Sequence, residues 1–311
     1  MSSAEGGEGC YGGVEAGGTK FVCGFGSGPA DLRLAEGIPT RDPETTVDEV
    51  SRFFQSASDS GAGIRGIGIG SFGPLELDRN AAAYGSITTT PKPGWQGVNL
   101  LKDLAGRLGV PVAIDTDVNA AALGEWVWGA ARGRDHFLYV TVGTGLGVGA
   151  VVDGKILHGA HHPEMGHMLI PRSAEDLEGF SGVCPYHGSC AEGLASGSSI
   201  VARWGCQLAD LAADHPAWKL EADYLAAFFT NLTFALQPQC IVVGGGVMNE
   251  TLLSMIREAL HSRLAGYRAS LALPEALAGF LVTPGLGGRA GVLGAIELAR
   301  REDSGREGEI A

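Results

Sequence analysis

The sequence predicts an α/β protein of two domains, with a mixed sheet in each. Short apolar segments typical of strands alternate along the chain with longer segments of helical spacing. The length of 311 residues exceeds the usual size of one domain. A pattern of apolar strand, glycine-rich turn and second apolar strand occurs near residue 11 and again near residue 136, which indicates a weak internal duplication.

The first half begins with strands and continues with alternating elements. Strands are predicted over 11–17 and 20–25 around a glycine turn, with a third over 32–40. Residues 45–60 form a helix by the spacing of their valines and phenylalanines. The remaining elements predicted in this half are a β-rich segment over 64–75 that ends in a glycine–proline turn, a helix over 98–108, a strand over 110–120 and a helix over 120–131.

The second half repeats the alternation. Two or three strands are predicted over 136–157 around a second glycine turn. Further along we predict helices over 198–214 and 221–236, a strand over 240–247, a helix over 250–264, a strand over 280–283 and a helix over 289–301. The polar, glycine-rich ends, 1–10 and 302–311, are predicted to be disordered.

Composition excludes several classes of partner. The formal net charge of −13 argues against binding to nucleic acid or to an anionic membrane. No apolar run approaches the roughly 20 residues that span a bilayer, and the first ten residues lack the features of a signal peptide. Six cysteines are too few for a secreted disulfide framework in a chain of this length. We therefore expect a cytoplasmic protein.

The first glycine motif is EAGGTKF, which runs from Glu15 to Phe21. Two adjacent glycines between strands let backbone amides approach a phosphate, and the threonine and lysine add donors. A plain hairpin turn explains the motif about equally well, and the spacing is not that of a Walker A loop. The candidate nucleotide-binding residues here are Gly17, Gly18, Thr19 and Lys20.

Two further glycine motifs occur in the second half. TVGTGLGVG repeats the strand–turn–strand arrangement, and the two turns together suggest that both hold the phosphates of one nucleotide. VVGGGVM ends a strand in three glycines, where a ligand can rest on open backbone, although a tight strand-to-helix turn is the simpler alternative. The candidate nucleotide-binding residues are Gly143, Thr144 and Gly145 in the first motif, and Gly244, Gly245 and Gly246 in the second.

Two carboxylates and an amide follow an apolar strand in DTDVNAA, residues 115–121. A carboxylate held beside a hydroxyl can take its proton as the oxygen attacks phosphorus. Asp117 is the candidate base on this chemical argument, while an Asx turn explains the same cluster without any catalysis.

Cysteine and histidine residues are closely spaced between 162 and 190. Cys184, His187 and Cys190 form C-x-x-H-x-x-C, and His167 of H-P-E-M-G-H can supply a fourth ligand for a structural, tetrahedral Zn²⁺. The alternatives are a reducible disulfide or free thiols. The nearby histidines at 158, 161 and 162 leave the fourth ligand open.

Together, and in this order, the motifs resemble those of the ROK family of sugar kinases and repressors, and within it the bacterial fructokinase branch. The resemblance covers about residues 11–300. It implies the two-domain actin-like (ribonuclease H-like) ATPase fold, with one domain over 11–115, closed by the helix over 289–301, and a second over 116–288 that carries the zinc-binding loop. Glu15 stands where the broad family has aspartate, as in the fructokinase branch.

The resemblance also implies roles for individual residues. The family motif N-D-x-N matches 116–119 and selects Asp117 over Asp115 as the catalytic base. The other residues assigned to the sugar are Asn119, Glu164, His167 and Glu192, with the turn of Gly73 and Pro74, and the segment TTTPKPGW over 88–95 resembles a loop beside the sugar. The zinc ligands are then His167, Cys184, His187 and Cys190, with His187 in place of a family cysteine.

The activity that the resemblance implies is transfer of phosphate from ATP, with Mg²⁺, to a hexose, and fructose is the expected substrate. The phosphates are expected at the two glycine turns and adenosine against 244–246, and the protein is expected to be a homodimer. Three alternatives stay open. They are a family kinase for glucose, mannose or an N-acetylhexosamine, a non-catalytic sugar sensor, and a sugar-responsive repressor, which would need a helix-turn-helix ahead of the first strand.

Overall fold

The computed structural model describes residues 9–310, with side chains up to residue 305, and the chain forms two compact units. The first unit contains the residues up to Arg132, Ile156–His162 and those from Gly288 onward, and the second contains Gly133–Lys155 and Pro163–Gly287. The division after 132 lies beyond the domain boundary proposed after 115, which stays a prediction. No helix in the described part of the chain combines the length and apolar content needed to cross a membrane.

A six-stranded mixed sheet forms the centre of the first unit. Its strands are β1 (Cys10–Ala16), β2 (Lys20–Gly26), β3 (Arg33–Leu34), β4 (Ile38–Pro39), β5 (Ile64–Ser71) and β6 (Val112–Thr116). The order is β3-β2-β1-β5-β6, and β4 also pairs with β2. Strands β1, β5 and β6 are parallel, so their carboxyl ends meet at one edge. The third predicted strand is divided into β3 and β4, both antiparallel to β2.

Three helices follow strands in this unit: α1 (Pro43–Asp59), α2 (Leu100–Leu108) and α3 (Asp117–Trp128). The strand predicted within 110–120 ends at Thr116. The helix predicted from residue 120 begins three residues earlier, at Asp117. The cause is a local cap, because the hydroxyl of Thr116 accepts a hydrogen bond from the backbone N–H of Asn119 at 3.2 Å. Asp117 and Asn119 therefore lie in the first turn of a helix that begins directly at the sheet edge.

The second unit contains a five-stranded sheet in the order β11-β10-β7-β8-β9. Its strands are β7 (Phe137–Val142), β8 (Leu146–Val152), β9 (Lys155–Ile156), β10 (Cys240–Gly244) and β11 (Leu281–Val282). Its helices are α4 (Ala191–Ala195), α5 (Gly197–Trp204), α6 (Pro216–Leu236), α7 (Glu250–Leu264) and α8 (Pro274–Phe280). The predicted helix over 198–214 ends at Trp204, because Gly205 takes a φ of 79° and caps it. The helices α4 and α8 were not predicted from the sequence.

The last helix, α9 (Ala290–Ile310), packs against β1, β5 and α3. Its backbone approaches theirs so closely that side chains are excluded at the crossings. An ideal Cβ on Gly294 would lie 1.5 Å from the carbonyl oxygen of Ala120, and one on Gly68 would lie 1.8 Å from that of Ala295. Glycine at these positions is therefore required by close approach rather than by backbone conformation.

The same helix continues well past the end predicted at 301. Glu302 pairs with Arg79 at 2.7 Å, and Asp303 accepts hydrogen bonds from the Tyr11 hydroxyl and the Arg65 guanidinium, both at 2.8 Å. These contacts with the first unit hold residues that local composition alone marks as disordered. Of the other predicted disordered end, residue 10 lies in β1, and 1–8 lie outside the described residues.

The close crossing of α9 and α3 gives a matched stability test. We expect Gly294→Ala to lower the free energy of unfolding by roughly 3 kcal/mol, because the added methyl has to displace the α3 backbone. Gly305→Ala on the same helix is the control, since a Cβ there meets nothing within 4 Å. The control should be neutral or stabilise by about 0.5–1 kcal/mol. Denaturant unfolding of both variants measures this, and equal effects would contradict the packing argument.

Candidate functional site

The carboxyl ends of three strands bring acidic residues together in the first unit. Glu15 of β1 is paired in register with Gly70 of β5, and Gly70 with Asp115 of β6. A Cβ on Gly70 would lie 2.5 Å from the Cβ of Ala120 and 3.3 Å from the Cα of Asp117. The absence of a side chain at Gly70 thus lets the first turn of α3 rest on the sheet edge, beside Glu15.

Asp117 and Glu15 are carboxyl groups with weakened acidity. Burial raises the pKa of Asp117 to about 6, although its carboxylate accepts a hydrogen bond from the N–H of Val118 at 2.8 Å. Burial and, to a smaller extent, the charge of Asp117 raise the pKa of Glu15 to about 7, with Lys20 acting in the opposite direction. A carboxyl group that changes charge near neutral pH is suited to accept a proton in catalysis.

Asp115 is fully engaged by hydrogen bonds and is therefore a poor candidate for a base. Its Oδ1 accepts from the backbone N–H of Thr116 and from the Nδ2 of Asn119, both at 2.8 Å. The Nε2 of His158 is hydrogen-bonded to the same Oδ1 at 3.3 Å and lies 3.0 Å from Oδ2. This hydrogen bond raises the pKa of His158 above its ordinary value, against an opposing effect of burial. The choice of Asp117 over Asp115 is thus consistent with the geometry.

The turn of Gly73 and Pro74, joined by a cis peptide bond, lies next to another histidine. The backbone N–H of Leu75 donates to the Nε2 of buried His162 at 2.9 Å. The carbonyl oxygen of Pro74 accepts from both the backbone N–H and the hydroxyl of Thr88, at 2.7 and 3.0 Å. The structure therefore brings the glycine–proline turn to the start of the segment 88–95.

The first glycine turn is an exposed hairpin connection. Its closing bond runs from the N–H of Gly17 to the carbonyl of Lys20 at 3.1 Å, and the Thr40 hydroxyl donates to the carbonyl of Gly17 at 2.8 Å. Gly18, Thr19 and Lys20 are exposed, and a Cβ on Gly18 would meet nothing within 4 Å. Both the hairpin interpretation and a role in binding an external group are compatible with this arrangement.

The second glycine turn is held by the helix α5. The N–H of Gly143 donates to the carbonyl of Gly145 at 2.9 Å, and the carbonyl of Gly143 accepts from the N–H of Gly197 at 2.7 Å. The hydroxyl of Ser198 donates to the carbonyl of Thr144 at 2.8 Å. Two carbonyls of the turn thus accept hydrogen bonds from the first turn of α5.

The glycine triplet after β10 borders a cavity of about 190 Å³ within the second unit. Gly245 has a φ of 101°, and a Cβ there would lie 2.3 Å from the carbonyl oxygen of Val142, so glycine is needed both for conformation and for space. Gly244 lies close to the Tyr139 hydroxyl, whereas a Cβ on Gly246 would meet nothing. The cavity is lined by Gly197, Ile200, Gln207, Leu208, Ala209, Gly246, Val247, Met248 and Asn249.

Of these lining residues, only Gly246 was predicted from the sequence to bind the nucleotide. Gln207 and Asn249 supply the amide groups of the cavity wall. Asn249 could have been found as the N-cap of α7, since its side chain accepts from the N–H of Leu252. Gln207 lies in a segment for which a helix was wrongly predicted, and no local sequence signal marked it as a residue of the cavity wall.

The four predicted metal ligands meet in one cluster. The donor atoms of His167, Cys184, His187 and Cys190 all lie within 4.8 Å of one another. The Nδ1 of His167 is 3.5 Å from the Sγ of Cys190 and 3.6 Å from that of Cys184, and the Nδ1 of His187 is 3.7 Å from the Sγ of Cys184. In a tetrahedral zinc site, bonds of roughly 2.3 Å to sulfur and 2.1 Å to nitrogen set the ligand atoms about 3.6 Å apart. The donor set and its spacing therefore fit a four-coordinate ion.

The other histidines considered as the fourth ligand lie outside this cluster. His158 is bonded to Asp115 and His162 to the backbone of Leu75, both in the first unit. His161 belongs to the same segment of that unit. The predicted choice of His167 thus agrees with the described residues.

The acidic residues assigned to the sugar in the second unit flank this cluster in the chain. Glu164 is exposed, and its carbonyl accepts from the N–H of His167 at 3.0 Å. Glu192 lies on α4, two residues after Cys190, and its Oε2 accepts from the N–H of Leu146 at 3.1 Å. Strand β8 therefore fixes the position of Glu192.

A buried ion pair that was not predicted from the sequence fixes the segment between His167 and Cys184. The Nε of Arg203 donates to Asp176 at 2.7 Å, with both side chains at most 2% exposed. Asp176 also accepts from the Tyr224 hydroxyl at 2.6 Å, and the Nη2 of Arg203 donates to the carbonyl of Leu194 on α4 at 3.1 Å. Asp176, Arg203 and Tyr224 are far apart in the sequence, and no spacing pattern predicts that their side chains meet.

Comparison with known proteins places these features in one family. The ROK family profile matches residues 11–302. The chain is 42% identical over 293 residues to the fructokinase of Zymomonas mobilis, which covers 93% of this chain and 96% of the relative. It also resembles the solved ROK hexokinase of Thermus thermophilus, with a TM-score of 0.74 and 29% identity over 95% of this chain and 99% of that one.

A second solved structure resembles the chain over almost its whole length. It is the ROK family glucokinase of Streptomyces griseus in complex with glucose and AMPPNP, with a TM-score of 0.72 and 26% identity. The match covers 94% of this chain and 100% of that one. These likenesses confirm the predicted actin-like ATPase fold.

Proposed function

This chain belongs to the ROK family, and we propose that it is an ATP-dependent kinase that converts D-fructose to fructose 6-phosphate. The observation that carries the chemistry is Asp117, a carboxyl group with a raised pKa in the first turn of α3, next to Asn119. Identity of 42% to a fructokinase, against 30% to a glucokinase, favours fructose as the acceptor. The presence of this base argues against a non-catalytic sensor.

Asp117 acts as the general base in the proposed reaction. Its carboxylate takes the proton of the sugar hydroxyl as that oxygen forms a bond to the γ-phosphorus of ATP. The bond from the γ-phosphorus to the bridging oxygen breaks, and ADP leaves. The backbone amides of the glycine turns would offset the charge that spreads over the transferred group, and Mg²⁺ bound with ATP would supply further positive charge there.

The nucleotide residues are proposed unit by unit. In the first unit, the exposed turn of 17–20 offers backbone amides and a lysine to phosphate. In the second unit, we assign the turn of 143–145 to phosphate and the cavity beside Gly246 to adenine. A cavity of about 190 Å³ with apolar walls and two amide side chains is suited to a planar, hydrogen-bonding ring.

The residues that bind sugar hydroxyls are likewise proposed unit by unit, from the resemblance of the sequence motifs. In the first unit these are Asp117 and Asn119, with the backbone of the Gly73–Pro74 turn. In the second unit they are Glu164, His167 and Glu192. Carboxylates, imidazole and amide are suited to hydroxyl groups because they accept and donate hydrogen bonds with defined direction.

We also propose that the cysteine–histidine cluster holds a structural Zn²⁺. Four side-chain donors would complete its coordination and leave no open position for catalysis. Bound zinc would cross-link the segments around His167 and Cys190, and so stabilise the chain that leads into α4, which carries Glu192. The buried Asp176–Arg203 pair supports the same region from α5.

Cellular location and assembly are part of the proposal. Cys184 and Cys190 bind a metal only as reduced thiolates, which favours the cytoplasm.

We propose a homodimer, supported by the exposed rings of Phe234 and Tyr267, whose centroids lie 5.6 Å apart. Light scattering on the eluting peak of a size-exclusion column gives the mass, and a monomer at micromolar concentration would contradict this part.

The substrate assignment predicts the order of sugars in a kinase assay. We expect ADP release with ATP and Mg²⁺ to show the highest kcat/KM with fructose, followed by mannose, glucose, N-acetylglucosamine and N-acetylmannosamine at lower values. Highest turnover with another of these sugars would keep the kinase and replace the substrate. A folded, metal-loaded protein that phosphorylates none of them would favour the sensor.

The role of Asp117 predicts a loss of turnover in Asp117→Asn. We expect kcat to fall by about 10²–10⁴-fold, because the amide cannot take the proton. In the wild type, kcat/KM should fall about tenfold for each pH unit below the pKa of about 6, since protonation of the free enzyme removes the base. Asp103→Asn, at an exposed position on α2, is the control and should keep wild-type kcat. Near-normal kcat in Asp117→Asn would overturn the assignment.

The zinc proposal predicts about one Zn²⁺ per chain, measured by elemental mass spectrometry. Cys184→Ala should weaken zinc binding by more than about 100-fold, since it removes a ligand rather than an outer partner. It should also raise the KM for fructose more than that for ATP. Cys206→Ala, at a cysteine outside the cluster, should keep the metal. Full activity in metal-free Cys184→Ala protein would contradict the stabilising role.

A further inference from the structure

A chain of three side chains joins an exposed histidine to a residue proposed to bind the sugar. The Nε2 of His158 lies 3.0 Å from the Oδ2 of Asp115, and the Oδ1 of Asp115 accepts from the Nδ2 of Asn119 at 2.8 Å. Building on the kinase assignment, we propose that His158 is a positioning residue. Through Asp115 it holds the amide of Asn119 so that the Oδ1 of this amide faces the acceptor sugar.

The orientation of the Asn119 amide follows from its partner. A carboxylate can only accept, so the group that Asn119 turns towards Asp115 has to be the NH₂ of its amide. The backbone N–H of Asn119 is bound to the Thr116 hydroxyl, and the side chain is 2% exposed. The side-chain carbonyl oxygen of Asn119, its Oδ1, is then left to accept a hydrogen bond from a sugar hydroxyl. Asn119 lies two residues along α3 from the proposed base, Asp117.

His158 contacts both carboxylate oxygens of Asp115. Thr116 and Asn119 donate to Oδ1. The Nε2 of His158 lies 3.3 Å from the same Oδ1 and 3.0 Å from Oδ2. Asp115 is 4% exposed, so loss of His158 would remove part of the compensation for the desolvation of this carboxylate. The carboxylate would then turn or take a proton, and Asn119 would lose its fixed acceptor.

The neighbouring histidines cannot replace His158. His162 is buried and accepts from the backbone of Leu75, and His161 is exposed. The side chain of His158 is itself 41% exposed, so its replacement opens no cavity in the core. This allows substitution at 158 to be separated from general loss of folding.

The test compares three variants at neutral pH: His158→Leu, His158→Gln and the control His161→Leu. We expect His158→Leu to raise the KM for fructose about tenfold, with the KM for ATP and kcat within about twofold of wild type. Gln can donate from its amide, so His158→Gln should recover most of the affinity. His161→Leu should leave all three constants unchanged.

A double-mutant cycle with Asn119→Ala tests whether the effect passes through Asn119. The variant His158→Leu/Asn119→Ala should have the same fructose KM as Asn119→Ala alone. Independent, multiplicative effects would overturn the proposal, as would an unchanged KM in His158→Leu. A joint change in both KM values and in the thermal midpoint would assign His158 a purely structural role, which also overturns it.

Fructose binding measured by calorimetry separates this inference from the proposed function. Wild-type protein that binds fructose but does not phosphorylate it contradicts the kinase assignment, and the affinity of His158→Leu still decides the positioning role. Equal affinity of wild type and variant contradicts the positioning role alone. A wild-type protein that binds no sugar overturns both.

Discussion

The proposed chemistry of the first unit depends on backbone-to-backbone packing around α9. Because Gly68 and Gly294 carry no side chain, this helix lies directly on the sheet and on α3. The packing fixes the height of α3 above the strand ends, and Gly70 lets its first turn come down to the sheet. Asp117 and Asn119 are therefore placed by the rigid meeting of a helix and a sheet, and not by a flexible loop.

Much of this arrangement follows from local pattern. The alternation of elements, the glycine turns and the ends of the parallel strands are visible in the sequence, because each depends on residues close together. The C-x-x-H-x-x-C spacing likewise predicts three candidate metal ligands on one short loop, and in the structure they lie together with His167. The sequence also predicts Asp117 rather than Asp115 as the base, but only the structure shows that Asp115 is bound to Asn119 and His158.

The missed features share one cause, which is contact between residues far apart in the chain. Nothing local marks Arg203 as the buried partner of Asp176, or His158 as the partner of Asp115. The polar residues after 301 have a disordered composition, yet their ion pairs with the first unit continue the helix. The early start of α3 is an exception, since a threonine before an Asp–Val–Asn sequence is a recognisable cap.

The return of α9 to the first unit has a consequence for synthesis on the ribosome. The apolar cluster of Tyr11 with Val292, Ile296 and Ala299 joins residues of the first strand to residues of α9, far apart in the sequence. At typical elongation rates of about 5–20 residues per second, the early strands wait on the order of 10–60 s for the helix that covers them. The glycine-rich face of the nascent sheet stays open during this interval. Residues 133–287 contain the whole second unit and are complete before α9 is made. Vectorial translation therefore favours a maturation order in which the early strands of the first unit finish folding after the second unit.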